Sequence, residues 1–305
     1  MKPANVREDA PGVGGPVLVT GAAGMLGSEI LLRTPKGTRT FGTDLRVGAG
    51  VDAAGIDLAD RAAVERLFAE QGPFSGAIHT AAFTAVDLAE EKEAEALRAN
   101  AEATRVLAGL CARDGIPLVA LSTDFVFDGA SSRPYREDDP ARPLSAYGRT
   151  KLAGEQAALE AHPTGVRIVR TQWLYGPRGR HFPGTIREIA RKRKELKVIS
   201  DQIGSPTTTL ELAPALWDVY LRGGPGIWHA ACEGACSWYD LAVATLEDCG
   251  VTDVRVAPCA THEYPLPARR PAYSVLDCSR LAALRGRRLA PWRRALQDFL
   301  SVNPL

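Results

Sequence analysis

The sequence predicts an α/β protein: a doubly wound parallel sheet with a second, smaller α/β lobe toward the C-terminus. Three observations carry that expectation. Short, continuously apolar runs rich in β-branched residues recur through the first half, as strands covered on both faces require. Each is followed by a longer segment of helical character, the alternation of a βαβ chain. A glycine-rich turn joins the first run to the first helix.

Taken in order, Val17-Leu18-Val19-Thr20 is the first strand, and Ser28 to Arg33 the first helix. Thr40 to Asp44 is a second strand, and Gly76-Ala77-Ile78-His79-Thr80 and Leu118-Val119-Ala120-Leu121-Ser122 are two more. Arg167-Ile168-Val169-Arg170 is a fifth. Helices are expected over Arg61 to Glu70, Asp87 to Arg113 with an interruption near Asn100, and Ala146 to Ala161. Right-handed crossovers then place helices on both faces of the sheet. After residue 172 strand-like runs shorten, Pro and Gly become frequent, and aromatic residues cluster (Trp228, Trp238, Tyr239, Tyr264, Tyr273). The expected division is a flexible leader at 1–15, a nucleotide-binding domain at 16–172, and a substrate-binding lobe at 173–305 that can cross back to the first domain.

Composition narrows the function. Among 305 residues, 45% are hydrophobic and 24% charged, enough apolar surface to exclude a disordered chain. Lys plus Arg number 37 against 36 Asp plus Glu, which argues against a nucleic-acid partner, since neutralising many phosphates needs a basic excess. Six scattered cysteines form no C-x-x-C pair, and His229 beside Cys232 and Cys236 is a weak zinc set. No apolar leader or membrane-length run is present, so no membrane partner is expected and the chain reads as cytoplasmic.

Gly21-Ala22-Ala23-Gly24-Met25-Leu26-Gly27 lies between strand and helix. The first glycines permit a tight turn and close backbone approach to a pyrophosphate, and the last lets the helix pack on the sheet. The helix N-terminus offers free N–H groups to the phosphates. This is the fingerprint of a Rossmann domain. Gly21, Ala23, Gly24, Met25 and Leu26 are accordingly expected to bind cofactor. Asp44, at the end of the second strand, can accept from ribose hydroxyls and favours NADH, whereas Arg46 can pair with a 2′-phosphate and favours NADPH. NADPH or NADH is expected, with the choice open. Asp57-Leu58 could contact the adenine edge, or be an unpaired loop carboxylate and its neighbour.

Tyr147 and Lys151 stand four residues apart at the start of a helix, on one face. A Tyr hydroxyl is a poor acid–base group at neutral pH unless a nearby cation stabilises the phenolate, and Lys151 supplies one. Thr123 ends a strand, where parallel sheets place ligands, and can hydrogen-bond a substrate carbonyl oxygen while Tyr147 protonates it.

The glycine turn, Thr123 and Tyr-x-x-x-Lys together resemble an extended short-chain dehydrogenase/reductase. Longer segments narrow the resemblance: Thr80 to Asp87, Ser122 to Gly129, Tyr147 to Glu155, Arg170 to Gly176, Asp201 to Thr207, and Arg270-Pro271. Over residues 16 to 300 the chain is similar to the dTDP-4-dehydrorhamnose reductase family, nucleotide-sugar 4-ketoreductases. The resemblance implies NAD(P)H-dependent reduction of the C4 keto group of a dTDP-4-dehydro-6-deoxyhexose, with dTDP-4-dehydro-L-rhamnose as substrate. It implies Thr123, Tyr147 and Lys151 as the catalytic triad, with Tyr147 and Lys151 also on the cofactor. Ala81 and Ala82 would line the nicotinamide side, and Asn100 would brace the cofactor domain. Thr84, Val86, Thr123, Asp124, Phe125 and Trp173 would face the sugar, and Arg270 its diphosphate unless it serves a surface ion pair. A homodimer is also implied.

Some positions depart from the family's pattern: His79 stands where Asn is more frequent, Phe125 where Tyr is, and Gln172 where Ser is. A 4,6-dehydratase would need an Asp-Glu pair after the Thr, and Asp124 is followed by Phe125. A 4-epimerase needs the same triad, and only the longer segments argue against it. A regulatory subunit resembling that of methionine adenosyltransferase would bind cofactor without turnover, but could lose the triad that is intact here. Arg187 to Lys197, with six basic and two acidic residues, reads as a solvated helix face rather than a nucleic-acid patch. Glu29 and Glu211 read as exposed helix carboxylates, and no metal is expected.

Overall fold

The computed structural model describes residues 14–303, so all but the last two residues of the expected leader lie outside the described residues. The centre is a seven-stranded sheet whose strands lie side by side in the order 226–229, 166–171, 118–123, 76–79, 17–20, 40–44 and 53–54. Its first strand, β1, is Val17–Thr20, followed by helix α1 at Met25–Leu32, which starts three residues earlier than the sequence suggested. Strand β2 (Thr40–Asp44) and a two-residue β3 (Ala53–Ala54) form one wing. Helix α2 (Arg61–Gln71) begins where Asp60 accepts from the N–H groups of Ala62 and Ala63, and it leads into β4 (Gly76–His79).

The expected long helix from Asp87 is divided into α3 (Leu88–Glu91), α4 (Glu93–Leu97), a π-helical turn at Arg98–Glu102, and α5 (Ala103–Arg113). Strand β5 (Leu118–Thr123), helix α6 (Ala146–Ala161) and β6 (Val166–Thr171) complete the first half. Every pairing in the sheet is parallel, as buried apolar strands joined by helices require.

The second half opens with β7 (Leu174–Tyr175), α7 (Phe182–Ala190), β8 (Glu195–Ile199), β9 (Ile203–Gly204) and β10 (Thr207–Thr208). Helix α8 (Thr209–Arg222) and β11 (Gly226–His229) then return to the large sheet, with β11 pairing along β6. Trp217 on α8 donates its indole N–H to Ile30 O on α1, 3.0 Å away, fixing the two helices side by side. Strand β12 (Cys236–Ser237), α9 (Trp238–Asp248), β13 (Arg255–Cys259), α10 (Ser279–Arg285) and α11 (Trp292–Val302) finish the chain.

Alternation within each strand builds two cores. Val17, Val19, Ile78, Val119 and Val169 face α1 and α8, while Leu18, Ala77, Leu118, Ala120 and Ile168 face α2, α5 and α6. Smaller clusters around Tyr175, Leu296 and Phe299, and around Ile186, Val198 and Leu246, belong to the second half.

The basic run 187–197 is not one helix face. Helix α7 stops at Ala190 and β8 begins at Glu195, so the run straddles a turn. Arg187 is buried and donates to Asn303 O, Lys194 pairs with Asp253, and Arg255 lies 3.7 Å from Glu195. No helix among the described residues is long and apolar enough to cross a membrane.

Candidate active site

The strand order reverses between β1 and β4, and a ligand crevice opens at such a switch point. The turn after β1 and the loop after β4 meet there. Gly21 has φ +68°, and a Cβ on it would stand 2.8 Å from both Ala81 N and Thr80 Oγ1. Gly27 packs so closely that a Cβ would fall 2.1 Å from Gly21 O. Gly24 differs: a Cβ there would approach only Gly21, at 3.0 Å, so its outward side is open. Gly24 caps α1 without a side-chain hydrogen bond, leaving first-turn N–H groups for an anion. These residues fit a dinucleotide pyrophosphate.

Asp44 ties the turn to the end of β2, its Oδ2 accepting from Ala23 N at 3.0 Å and its Oδ1 from Arg46 N at 3.0 Å. Arg46 is largely exposed, its Nε 3.7 Å from Asp44 Oδ1. Asp57 is engaged by the protein: Oδ2 takes a hydrogen bond from Arg98 at 2.5 Å and Oδ1 one from Ala59 N. Burial works to raise its pKa, but those bonds and the Arg98 charge hold it below the usual carboxylate range. The side chains of Leu58 and Leu26 are packed into the two cores, so only their backbones can face a ligand.

Asn100 sits in the π turn, 1% exposed. Its Oδ1 accepts from Phe83 N at 2.9 Å, and its Nδ2 donates to Phe83 O at 3.2 Å and Thr150 Oγ1 at 3.1 Å. The extra backbone residue of a π turn aims the amide between the Ala81-Ala82-Phe83 loop and α6. His79 is a buried neutral brace, its ring nitrogens 2.7 Å from Thr20 Oγ1 and 3.2 Å from Thr104 Oγ1. Burial, with the Lys151 charge, takes its pKa down to about 3.

Helix α6 starts because Ser145 Oγ accepts from Gly148 N, and it carries Tyr147 and Lys151 toward the end of β5. The three residues singled out in sequence meet there. Thr123 Oγ1 donates to Asp124 Oδ1 at 3.0 Å and accepts from Phe125 N at 3.2 Å. A carboxylate can only accept and a backbone N–H only donate, so these directions are fixed while Asp124 is ionised. Asp124 is 1% exposed and its Oδ2 has no hydrogen-bond partner among the described residues. It therefore stands behind Thr123, not on a surface where a sugar could touch it. Burial raises its pKa to about 6, opposed by Ser274 and Thr123.

One electrostatic expectation is overturned. Burial pushes Tyr147 up to about 12; the Thr123 hydrogen bond opposes this and the Asp124 charge adds to it. Lys151 does not bring the phenol toward neutrality, because its Nζ is turned to Leu121 O, 2.7 Å away. Burial brings Lys151 itself down to about 8. Phe125 packs edge-on against Tyr147 with ring centres 5.5 Å apart.

Thr171 pairs with Thr123 across β5 and β6, so Trp173 emerges two residues beyond the triad's strand end. Thr84 is exposed and Val86 half-buried on the loop after β4. Arg270 is held by Asp87, with Nη2 to Oδ2 at 2.8 Å and Nη1 to Oδ1 at 3.0 Å, which keeps the Asp87 carboxyl below its usual range. The ion-pair alternative is thus the one seen, and it joins the loop after β4 to the second half. Neither Glu29 nor Glu211 is the exposed carboxylate expected: Glu29 is buried and pairs with Arg33, and Glu211 is half-buried and accepts from Ala290 N.

Sequence reasoning missed Glu155, which forms a buried two-point ion pair with Arg170 (2.7 and 2.9 Å) beneath the site. It also missed Trp238, which stacks on Trp173. A signal for the latter was available in Ser237-x-x-Asp240, a capping box that fixes the start of α9.

The family description RmlD substrate binding domain matches residues 15–303. The chain belongs to the dTDP-4-dehydrorhamnose reductase family. A dTDP-4-dehydrorhamnose reductase of Streptomyces griseus is 43% identical over 289 residues, 92% of this chain and 91% of that protein. A dTDP-4-keto-6-deoxy-D-glucose reductase of Streptomyces niveus is 39% identical over 291 residues, 94% of this chain and 97% of that one. Among solved structures, a Bacillus anthracis dTDP-4-dehydrorhamnose reductase in complex with NADP is 32% identical with a TM-score of 0.87, covering 95% of this chain and all of that one. Membership of this reductase family agrees with the parallel sheet and the glycine turn.

Proposed function

We propose that this chain is an NAD(P)H-dependent reductase of the C4 ketone of a dTDP-4-dehydro-6-deoxyhexose, with dTDP-4-dehydro-L-rhamnose as substrate and dTDP-L-rhamnose as product. The observation that carries this reading is the convergence of Thr123, Tyr147 and Lys151 at the C-terminal ends of the sheet, beside a glycine turn open at Gly24.

Residues of the turn from Gly21 to Leu26 hold the pyrophosphate, Asp44 and Arg46 the adenosine ribose, and Ala81 and Ala82 the nicotinamide side. Bound there, a reduced nicotinamide supplies the hydride for C4. Tyr147 stays protonated across neutral pH and gives that proton to the C4 oxygen. Thr123 hydrogen-bonds the C4 oxygen once its hydroxyl turns from Asp124 to the substrate. Lys151 places a cation beside Leu121 O near the end of β5, where it would hold the hydroxyls of the nicotinamide ribose. Thr84, Val86 and Trp173 shape the sugar subsite. Asp57 and Arg270 are held by Arg98 and Asp87, so they act on ligands through the loops they brace.

A regulatory, non-catalytic role is disfavoured because the proton donor and both partners are in place. The cytoplasmic setting and a homodimer follow the family's pattern and complete the proposal. The test supplies dTDP-4-dehydro-6-deoxyglucose and NADPH or NADH, with and without a 3,5-epimerase. Cofactor oxidation that needs the epimerase, with dTDP-L-rhamnose formed, supports the reading. Oxidation without it moves the substrate to the unepimerised sugar, and none in either case contradicts the reductase assignment.

A further inference from the structure

Trp173 has φ +48°, in the left-handed region where a bulky side chain is rare, and it is the only non-glycine residue so placed among the described residues. Such a conformation persists only where its surroundings over-determine it, and it concentrates at functional sites. Here the surroundings are explicit. The indole of Trp238 stacks on that of Trp173 with centres 3.5 Å apart and planes 6° from parallel. Behind it, a Cβ on Gly204 would lie 2.5 Å from Cε2 and 2.8 Å from Nε1 and Cζ2 of Trp173. A point nearer to Cε2 than to its two ring neighbours lies over the ring face, because approach in the ring plane would leave Cε2 the farthest. It cannot lie on the face Trp238 occupies, or Trp238 atoms would be nearer still. Both faces of Trp173 are therefore covered, and only its rim is free to meet a ligand.

Trp238 is itself fixed. Its Nε1 donates to Gln202 Oε1 at 3.2 Å, Phe182 packs against it at 4.6 Å, and the Ser237–Asp240 capping box sets the start of its helix. The backbone of Trp173 is held as well, its carbonyl accepting from Thr207 N at 3.2 Å. The segment Asp201 to Thr207, distinctive in sequence and not used by the triad, thus supplies the bare floor (Gly204), the brace (Gln202) and the backbone clamp (Thr207).

We propose that Trp238 is a specificity-determining positioning residue: sandwiched between Trp238 and Gly204, Trp173 presents its rim as a rigid wall for the pyranose ring of the sugar nucleotide. This rests on the proposed function, which puts Trp173 in the sugar subsite. Trp238 touches neither cofactor nor reacting atoms and acts through Trp173.

The experiment compares wild type with Trp238→Ala, Trp238→Phe and Gly204→Ala. It measures KM for the sugar nucleotide, KM for NADPH, kcat, and the exciton-coupled circular dichroism of the stacked indoles. Trp238→Ala should abolish the couplet and raise the sugar-nucleotide KM about tenfold, with kcat and the NADPH KM within twofold. Trp238→Phe should lose the couplet but restore most of the KM, since an aromatic face remains. Gly204→Ala should raise the same KM by displacing Trp173 from the other side. Loss of the couplet with an unchanged sugar KM would overturn the inference, as would an equal rise in both KM values. If Trp238→Ala does not fold, the Phe and Gly204 variants decide: an unaltered sugar KM in Gly204→Ala overturns it. Failure of the wild type to reduce the keto-sugar would instead sink the underlying function, which keeps the two failures apart.

Discussion

Asn100 donates to Thr150 Oγ1 across 3.1 Å, and Thr150 in turn donates to the carbonyl of Tyr147. The π turn and the catalytic helix are thereby joined one step from the proposed acid. The same amide holds both backbone groups of Phe83, so one buried side chain sets the spacing between the loop after β4 and α6.

Replacing Asn100 with Ala strips three groups, Phe83 N, Phe83 O and Thr150 Oγ1, of their partner. Stability should fall by about 2–3 kcal/mol, read as a lowered denaturation midpoint. Turnover should fall about tenfold or more with a smaller change in KM, because Tyr147 is displaced rather than removed.

Asp124 predicts a pH-dependent stability. Its pKa is raised from the ordinary carboxylate value of 3.8 to about 6, so the folded protein binds its proton more tightly than the unfolded chain. The favourable contribution is complete below about 3.8 and is lost as pH rises through about 6. Asp124→Asn should therefore gain stability over wild type at pH 8, on the order of 2–3 kcal/mol, and little at pH 4. Equal differences at both pH values would contradict a buried ionised carboxylate.

Lys151 predicts a basic limb. With its pKa brought down to about 8 by burial, kcat/KM should decline as pH rises through that value. Tyr147, near 12, contributes no limb in the range. Lys151→Arg retains charge at all accessible pH, and whatever activity remains should show the limb moved upward.

The Arg170–Glu155 pair is 3% exposed on both sides, and Arg170 also lies over the Phe127 ring at 5.0 Å. Glu155→Gln leaves a buried cation without its counter-charge and should cost about 3–5 kcal/mol in chemical denaturation. Replacing both residues with apolar ones of similar volume should recover much of that loss.

Much of this was legible in the sequence. Strands β1, β4 and β5 were visible as mostly apolar runs, β2 and β6 only by their place between helical segments, since Thr40, Asp44, Arg167 and Arg170 interrupt the apolar pattern, and α6 was visible from residue 146 to residue 161. The gathering of Thr123, Tyr147 and Lys151 at one end of the sheet was legible because Tyr147 and Lys151 share a helix face and Thr123 ends a strand. The interruption near Asn100 was anticipated, but not its π-helical form, which depends on tertiary hydrogen bonds to Phe83 and Thr150. The lowered pKa expected of Tyr147 failed for a related reason: helical spacing says that Lys151 is near, but not that Leu121 O holds its ammonium. The sequence allowed for a crossing back from the second half to the first domain, but not that α8 and β11 make it, since short apolar runs carry no address. Trp238 was passed over because stacking with Trp173 joins residues 65 apart.

The most direct test of the central claim is the Tyr147→Phe variant beside wild type, assayed for NADPH binding and for reduction of the epimerised dTDP-keto-sugar. Removing one hydroxyl should leave NADPH affinity within about threefold while turnover falls by about a thousandfold or more. Retained turnover in the variant, or equal inactivity of both proteins despite tight cofactor binding, would contradict Tyr147 as the proton donor of a working reductase.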